Sequence, residues 1–285
     1  GKKFIDMRDR YGKTQVVFDP DVTKGFEKID EVKREFLIKV HGKVRSRPDG
    51  TINEKMTTGE IEVITDQFSI INRCETLPFD LEEEHRSEVN EDLRLEYRYL
   101  DLRRPEMLST LKRRHKFIKK IRDIFDDYDF MEIETPNLTK STPEGSRDFL
   151  VPYRKKPGQF FALPQSPQLF KQMLMVSGID RYYQVATCFR DEDLRRDRQY
   201  EHKQLDMEVS FINQQELFSL LEEIFVRAFR EVYGIEVPHP FPQITYEEAI
   251  SRYGSDKPDL RIKGLELVNI SDIAQQCGFG VFQKT

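Results

Sequence analysis

The chain has 285 residues and a mass of 33.9 kDa, which exceeds one ordinary domain and predicts two. Hydrophobic residues make up 38% and charged residues 34%, a composition that excludes collagen-like and wholly disordered chains. No apolar stretch approaches the ~20 residues of a membrane-spanning helix, so we expect no membrane partner. The chain opens on Gly1 and shows no signal sequence, which predicts that it begins inside a longer protein.

Cysteine usage and charge narrow the class of protein further. Cys74, Cys188 and Cys277 are odd in number and lack a C-x-x-C spacing, which disfavours a disulfide framework or zinc site and favours a reducing compartment. The expected location is the cytoplasm, with an organelle as the alternative. The net charge of −5 excludes a wholly basic nucleic-acid coat. Residues 82–96 hold seven acids and residues 101–122 hold nine lysines and arginines, runs that are typical of solvated linker and helix surfaces.

The first 78 residues carry the signals of short strands joined by turns. A hairpin comes first, and Asp19-Pro20 ends it. This pattern predicts a small antiparallel barrel of the OB-fold kind whose opening strand is missing, so that one edge stays unpaired. The predicted strands cover residues 4–8, 15–18, 36–44 and 60–64, with a helical patch at residues 24–34.

Longer elements follow a predicted hinge. A helix with one apolar face is expected because apolar positions recur every three or four residues, at Leu108, Leu111, His115, Ile118, Ile121 and Phe125. Strands are expected at residues 130–134, 182–190 and 204–211, and a helix at residues 215–232. Alternation in the last strand directs Leu205, Met207, Val209 and Phe211 to the core and Gln204, Asp206, Glu208 and Ser210 to a polar face.

That polar face predicts a binding site for a zwitterion and a polyphosphate. Arg190 ends the partner strand and is followed by Asp191 and Glu192. A guanidinium grips a carboxylate or phosphate through two parallel hydrogen bonds, whereas neighbouring acids hold an ammonium, an amine donor or a metal. A solvated, charged hairpin is the structural alternative.

Several ordered motifs are similar to those of one enzyme family. The runs LPQSPQLFKQ at residues 163–172, CFRDEDLR at 188–195 and QLD at 204–206, with RYLDLRRP and STPEGSR upstream, resemble the aspartyl-tRNA synthetases of the bacterial and organellar type. Glu134-Thr135-Pro136 resembles the end of class II motif 1, and residues 189–192 resemble motif 2. Lysyl- and asparaginyl-tRNA synthetases share the architecture, but the QSPQLFK run favours the aspartyl enzyme.

The resemblance implies an α+β multidomain protein. It places a partial OB-fold β-barrel for anticodon binding at residues 1–78 and a hinge at 79–104. An incomplete class II antiparallel sheet flanked by helices, with motifs 1 and 2, follows at 105–262, and an inserted domain starts at 263–285. Motif 3 would lie beyond the chain, which would then be an N-terminal portion and inactive alone. Motif 1 implies a homodimer.

The implied activity is ATP-dependent activation of L-aspartate and its transfer to tRNA(Asp), with Mg²⁺. Arg190 would be catalytic, bridging the aspartate carboxylate and the α-phosphate, and Lys171 would neutralise the aspartate side chain. No metal ligand is expected within this chain. The implied aspartate-binding residues are Glu144, Gln168, Lys171, Arg190 and Asp206, and the implied ATP-binding residues are Arg190, Glu192, Gln199 and His202.

Three residues of the first domain fall where the family reads anticodon bases. Phe4 would stack on a base, and Gln15 and Glu62 would bond base edges. Structural alternatives stand beside these roles: Phe4 in the barrel core, Lys171 on the surface, Glu144 as a loop acid and Gln168 as an ordinary helix start.

One departure from the family keeps two other functions open. His202 stands where the family has the phenylalanine that stacks on adenine. A catalytically incomplete paralogue that binds RNA or protein would explain this change together with the missing motif 3. A tRNA-independent amide-forming enzyme on the same core is the other alternative, although such enzymes usually lack the barrel.

Overall fold

The computed structural model describes residues 1–81, 89–142 and 144–282. These form two compact units, Gly1–Ser109 and Thr110–Thr285. Residues 82–88 of the predicted acidic run, Pro143 of the STPEGSR motif and residues 283–285 lie outside the described residues.

The first unit is built on an open four-stranded sheet in the order β1-β2-β4-β3. β1 pairs with β2 and β3 pairs with β4 in antiparallel fashion, as expected, but β2 and β4 run parallel. The parallel pair arises because a 3₁₀ turn at Phe26–Glu31 separates the hairpin from β3, so that β4 returns between β3 and β2. The strands are β1 (Lys3–Arg8), β2 (Lys13–Phe18), β3 (Leu37–Ser46) and β4 (Ile61–Asn72).

The inner face of this sheet and the 3₁₀ turn enclose the core of the first unit. Val16, Phe18 and Ile29 are almost wholly buried, and Phe18 meets the edge of Phe68 at a centroid distance of 5.2 Å. Alternation gives β1 one buried side, whereas β2 is buried on both sides at Val16, Val17 and Phe18. The opposite side of β1 therefore stays available for polar side chains.

The segment predicted as a hinge contains two short helices, α1 (Glu91–Glu96) and α2 (Arg98–Asp101). Asn90 caps α1 by accepting a hydrogen bond from the Asp92 amide at 2.8 Å. Phe79, Leu81 and Leu100 form a small core of their own, so this part of the first unit is a packed element.

Helix α3 (Pro105–Asp127) is the predicted long helix, but its apolar face is buried only near its C-terminal end. Ile121, Ile124 and Phe125 pack against the second unit's core, whereas Leu108 and Leu111 are 41% and 46% exposed. The expectation of one continuous core face is wrong in the N-terminal half, because the described residues of the second unit's core pack against α3 from Phe117 onward.

The second unit centres on a three-stranded sheet in the order β5-β8-β9. β8 and β9 form the expected antiparallel hairpin, but β5 runs parallel to β8, so the sheet is mixed. β5 (Met131–Glu132), β8 (Arg181–Phe189) and β9 (Glu201–Val209) form it, and β6 (Leu150–Pro152) and β7 (Phe160–Ala162) form a separate pair. The helices are α4 (Gln168–Val176), α5 (Gln214–Tyr233), α6 (Tyr246–Tyr253) and α7 (Ser271–Gln276). No helix in the described ranges is long and apolar enough to cross a bilayer.

The end of β9 differs from its sequence pattern. The strand stops at Val209, and Phe211 has a φ of 63° and is 97% exposed, so its predicted core position is wrong. The left-handed residue turns the chain toward Asn213, whose side chain and Glu216 form a capping box at the start of α5. The turn that leads into the capping box therefore begins at Ser210 and Phe211, where alternation predicted two more strand residues.

Candidate active site

The predicted polar face lies on the β8–β9 hairpin. Gln184 pairs with Asp206, and Cys188 pairs with His202. Cross-strand partners share a face and residues two apart repeat it, so Arg190, which follows β8, continues the same row. The hairpin therefore presents several polar side chains on one surface, while Tyr183 and Met207 face the core on the other.

Lys171 reaches this face from α4. It lies one turn into the helix, is only 9% exposed, and its Nζ is 2.9 Å from Asp206 Oδ1 and 3.2 Å from Glu208 Oε2. Burial, the largest single effect, lowers the pKa of the ammonium, but the bonds and charges of the two acids outweigh it and leave the pKa raised. Lys171 is therefore a buried cation, which excludes the surface alternative.

One oxygen of the Asp206 carboxylate is available as a hydrogen-bond acceptor. The residue is 5% exposed, and its Oδ2 has no hydrogen-bond partner among the described residues. The Tyr182 hydroxyl donates its proton to Gln184 Oε1 at 2.8 Å; burial first, and then the charge of Asp206, raise the pKa of Tyr182. A buried acceptor without a donor costs free energy, so this oxygen fits the N–H of a bound ammonium.

Glu144 and Gln168 meet through Ser166. The Ser166 hydroxyl donates to Glu144 Oε2 at 2.7 Å and accepts from the backbone N–H of Gln168 at 3.2 Å. Gln165, only 1% exposed, donates to the Ser146 carbonyl at 2.8 Å. These bonds fix the loop of Glu144 against the start of α4. Gln165 and Ser166 belong to the QSP run of the family motif, but only these contacts show which groups the two side chains bind.

The loop after β8 forms a polar cleft of about 440 Å³. Glu192 lines it, accepting from the Ser146 hydroxyl and from Arg198 Nη1 at 2.9 Å. The Ser146 hydrogen bond, helped by Arg198 and Arg190, holds the pKa of Glu192 below its ordinary range. Arg147 and Arg195 also line the cleft, whose mixed charges suit a phosphorylated ligand.

Arg190 is positioned by its backbone. Its amide donates to the Tyr200 carbonyl at 2.8 Å, and within the described ranges no carboxylate lies within 4.0 Å of its guanidinium. Burial first raises the pKa of the neighbouring Cys188 thiol; Arg190 opposes this effect, and Asp206 and Glu144 add to it. The thiol stays protonated, which argues against Cys188 as a nucleophile. Because the described residues give the Arg190 guanidinium no carboxylate partner, it is available to bind an anion.

Two residues predicted to bind ATP are not brought into these contacts. Gln199 is exposed in the loop, and no described residue bonds its side chain; His202 is half-buried opposite Cys188. Their roles stay predictions. Over the same described ranges, no three His, Cys, Asp or Glu side chains converge as metal ligands.

The outer face of the first unit holds the three predicted anticodon-binding residues. Phe4 is 61% exposed, which excludes the core alternative. Glu62 is 2% exposed and its Oε2 accepts from Gln15 Nε2 at 3.0 Å. Glu62 Oε1 accepts from Arg45 Nε at 2.8 Å. Arg45 was missed at the sequence level, because only the pairing of β3 with β4 places it opposite Glu62.

Comparison with known proteins adds independent findings. The family model described as an OB-fold nucleic acid binding domain matches residues 1–71, and that of the class II tRNA synthetases (D, K and N) matches residues 90–274. An aspartate–tRNA(Asp/Asn) ligase of Moorella thermoacetica is 55% identical over 100% of this chain and 47% of its own length. An aspartate–tRNA ligase of Geobacillus kaustophilus is 52% identical over 100% of this chain and 48% of its own length.

A solved structure agrees in fold. The asparaginyl-tRNA synthetase of Pyrococcus horikoshii, complexed with asparaginyl-adenylate, has a TM-score of 0.74 at 24% identity and matches 87% of this chain and 59% of its own. The chain spans about half the length of the curated relatives it matches. An OB-fold unit followed by a class II core, matched over most of the sequence, confirms the predicted fold class and shows that the chain belongs to the class II tRNA synthetases (D, K and N).

Proposed function

We propose that the chain supplies the anticodon-binding unit and much of the aspartate-activating site of an aspartate–tRNA ligase. The observation that carries this proposal is the buried Asp206 Oδ2, which lacks a donor among the described residues and lies beside the buried ammonium of Lys171. An acceptor and a cation together match a zwitterion that bears a second carboxylate. The names of the 52–55% identical relatives support the same substrate.

Amino-acid selection follows from these contacts. Asp206 Oδ2 accepts from the substrate ammonium, with Glu144 and Gln168 nearby on the loop and α4. Lys171 Nζ already donates to Asp206, and its contact with the Met207 carbonyl is long at 3.4 Å. A substrate carboxylate replaces that weak contact. Asparagine offers no charge there, so it binds less well.

The reaction needs alignment more than covalent help from the protein. An oxygen of the aspartate α-carboxylate bonds to the α-phosphorus of ATP while the bond to pyrophosphate breaks. A hydroxyl of the terminal adenosine of tRNA(Asp) then attacks the aspartyl carbonyl carbon, loses its proton and displaces AMP. ATP enters as its Mg²⁺ complex. Arg190 spans the carboxylate and the α-phosphate, and Glu192, Gln199 and His202 hold the nucleotide. Fixed geometry and preorganised charge lower the barrier.

The test is aspartate-dependent exchange of pyrophosphate into ATP by the protein that contains this chain. Exchange should require aspartate and fail with asparagine. Arg190→Ala should lower exchange at least about 100-fold, the loss expected from removing a preorganised donor. Arg196→Ala, in the same loop, should change it little. A loss below about tenfold would contradict the role of Arg190.

Two further outcomes separate the alternatives. Binding of RNA and ATP without exchange would identify a catalytically incomplete paralogue. Formation of an amide from aspartate and ATP without tRNA would favour the amide-forming enzyme. Because one relative is named for tRNA(Asp) and tRNA(Asn) together, the charging assay includes both transcripts.

A further inference from the structure

Gln184 is a buried amide beside Asp206 on the polar face of the β8–β9 hairpin. It is 7% exposed and is the cross-strand partner of Asp206, so the two side chains are neighbours on one surface. Its Oε1 accepts from the Tyr182 hydroxyl at 2.8 Å and from the Thr135 hydroxyl at 3.1 Å. Two donors therefore meet on one oxygen of the amide, and the reaction proposed above uses neither hydroxyl.

Tyr182 lies next to the same carboxylate. Its side chain is wholly buried, and its cross-strand partner is Glu208, which follows Asp206 on the same face of β9. After burial, the charge of Asp206 and hydrogen bonding to it are the next causes that raise the pKa of the Tyr182 hydroxyl. This hydroxyl therefore lies near two acceptors, the Gln184 amide and the Asp206 carboxylate.

The single proton of the Tyr182 hydroxyl can serve only one of these acceptors. A carboxylate accepts more strongly than a neutral amide, so without Gln184 the hydroxyl would bond Asp206. In the structure Gln184 receives the proton, and Asp206 Oδ2 has no hydrogen-bond partner in the described part of the chain. Lys171 Nζ lies 2.9 Å from the other oxygen, Oδ1. The direction of the tyrosine proton thus determines whether an acceptor stays open.

We propose that Gln184 is a positioning residue that holds the Tyr182 proton away from Asp206 and so keeps Asp206 Oδ2 open for the substrate ammonium. This role rests on the proposed function, in which that oxygen binds the substrate amine. Thr135, which follows β5, holds Gln184 through the second hydroxyl. Without the Gln184 amide, the Tyr182 hydroxyl turns to Asp206 and occupies the acceptor that the substrate needs.

The experiment measures aspartate-dependent exchange of pyrophosphate into ATP by the protein that contains this chain. Gln184→Met keeps the length of the side chain but offers no amide acceptor, so the KM for aspartate should rise about tenfold or more while the KM for ATP stays within about twofold. Tyr182→Phe removes the competing proton and should change the KM for aspartate by less than about threefold. The double variant should return that KM to within about threefold of wild type.

The rescue separates control of one proton from general damage to the fold. Substitutions that merely loosen a buried region are expected to add their costs, whereas here the second substitution should reverse the first. Gln172→Met makes the same chemical change on the exposed surface of α4 and should leave both constants as in wild type. Thermal melting checks folding. If Gln184→Met is unfolded, Gln184→Leu, alone and combined with Tyr182→Phe, replaces it.

The outcomes distinguish this role from the proposed function. Wild-type exchange that does not depend on aspartate would contradict the proposed function, and the role of Gln184 would fall with it. If wild type exchanges normally but the double variant is as impaired as Gln184→Met, only the positioning role is wrong. An unchanged KM for aspartate in Gln184→Met overturns it as well. A large change in Tyr182→Phe alone, in either direction, would show that the hydroxyl already acts on Asp206 or on the substrate, against the proposal.

Discussion

Lys171 shows at the residue scale how a buried charge becomes a binding site. Two acids, Asp206 and Glu208, lie within 3.2 Å of its ammonium, so the three groups together carry one excess negative charge. Burial makes an uncompensated charge costly. A ligand cation that meets Asp206 Oδ2, which has no hydrogen-bond partner among the described residues, relieves this excess, while Lys171 still attracts a carboxylate. Glu208 was on the predicted polar face but had no assigned role.

Lys171→Met should raise the KM for aspartate about 100-fold or more and leave the KM for ATP nearly unchanged, because only the substrate side chain loses its charged partner. Steady-state exchange kinetics measure both constants. Lys203→Met, on β9 but on its other, exposed side, is the matched control. Similar increases in both constants would show that Lys171 has only a structural role, and thermal melting checks that the variant folds.

His202→Phe should tighten ATP binding by about 1 kcal/mol if position 202 faces adenine, because phenylalanine offers a larger aromatic face than imidazole. Isothermal titration of wild type and variant measures the difference. His202 is half-buried at the start of β9, so the substitution needs little rearrangement. Unchanged affinity would place His202 away from the nucleotide and strengthen the paralogue alternative.

At the scale of elements, α1 and α2 are held by an arginine cluster around Asp101. Its carboxylate is wholly buried and lies 2.9 Å from Arg94 Nε and 3.5 Å from Arg104 Nη1, with Arg98 as a third partner. The Arg94 hydrogen bond is the main cause that lowers the pKa of Asp101 below its ordinary 3.8, against the effect of burial. The aspartate of the RYLDLRRP motif thus pairs with two arginines of the same motif and with Arg94 just before it.

The stability of the first unit should therefore depend on pH through Asp101. A carboxyl whose pKa is lowered by folding stabilises above its unfolded pKa, and that contribution is lost as pH falls through the folded value. At pH 7 Asp101→Asn should lower the free energy of unfolding by about 3 kcal/mol. Urea titrations should show that the difference in free energy of unfolding between wild type and variant narrows below about pH 3.8. A difference that is constant with pH would exclude this linkage.

For the whole molecule, the uncovered half of α3 is the feature that bears on assembly. Leu108 and Leu111 are 41% and 46% exposed on the apolar face that Ile121 and Phe125 bury further along the helix. Apolar side chains exposed to water are unfavourable, and burying them against a partner lowers the free energy. This favours the homodimer implied by the resemblance to motif 1, with α3 at a two-fold interface.

Sedimentation velocity at micromolar concentrations should therefore show a dimer. Leu111→Glu should shift it toward monomer, because a charge on each subunit would be buried without a partner. Lys116→Glu, also on exposed helix surface, should have a smaller effect. A monomeric wild-type chain would contradict a dimer formed by this half of α3.

Much of this organisation was predictable from the sequence because local periodicity reports which face of an element is buried. The β8–β9 hairpin, the first hairpin, α3 and α5 follow from alternation or helical spacing. The family resemblance implied that Lys171, Arg190 and Asp206 share one site, which stays a prediction for Arg190. These signals depend on neighbours a few residues apart. They failed where a local cap prevailed, as at Phe211, and where no residue of the described ranges covers an apolar face, as at Leu111.

The amino-acid sequence by itself determined the first hairpin, the β8–β9 hairpin, helices α3 and α5 and the residue types of both candidate sites. Only the tertiary structure decided which groups meet: Lys171 with Asp206, 35 residues apart, and Arg45 with Glu62, 17 residues apart. The parallel pairing of β2 with β4 likewise had no local signal. Such choices depend on the register and packing of distant segments around a common core, and no short window of sequence contains that information.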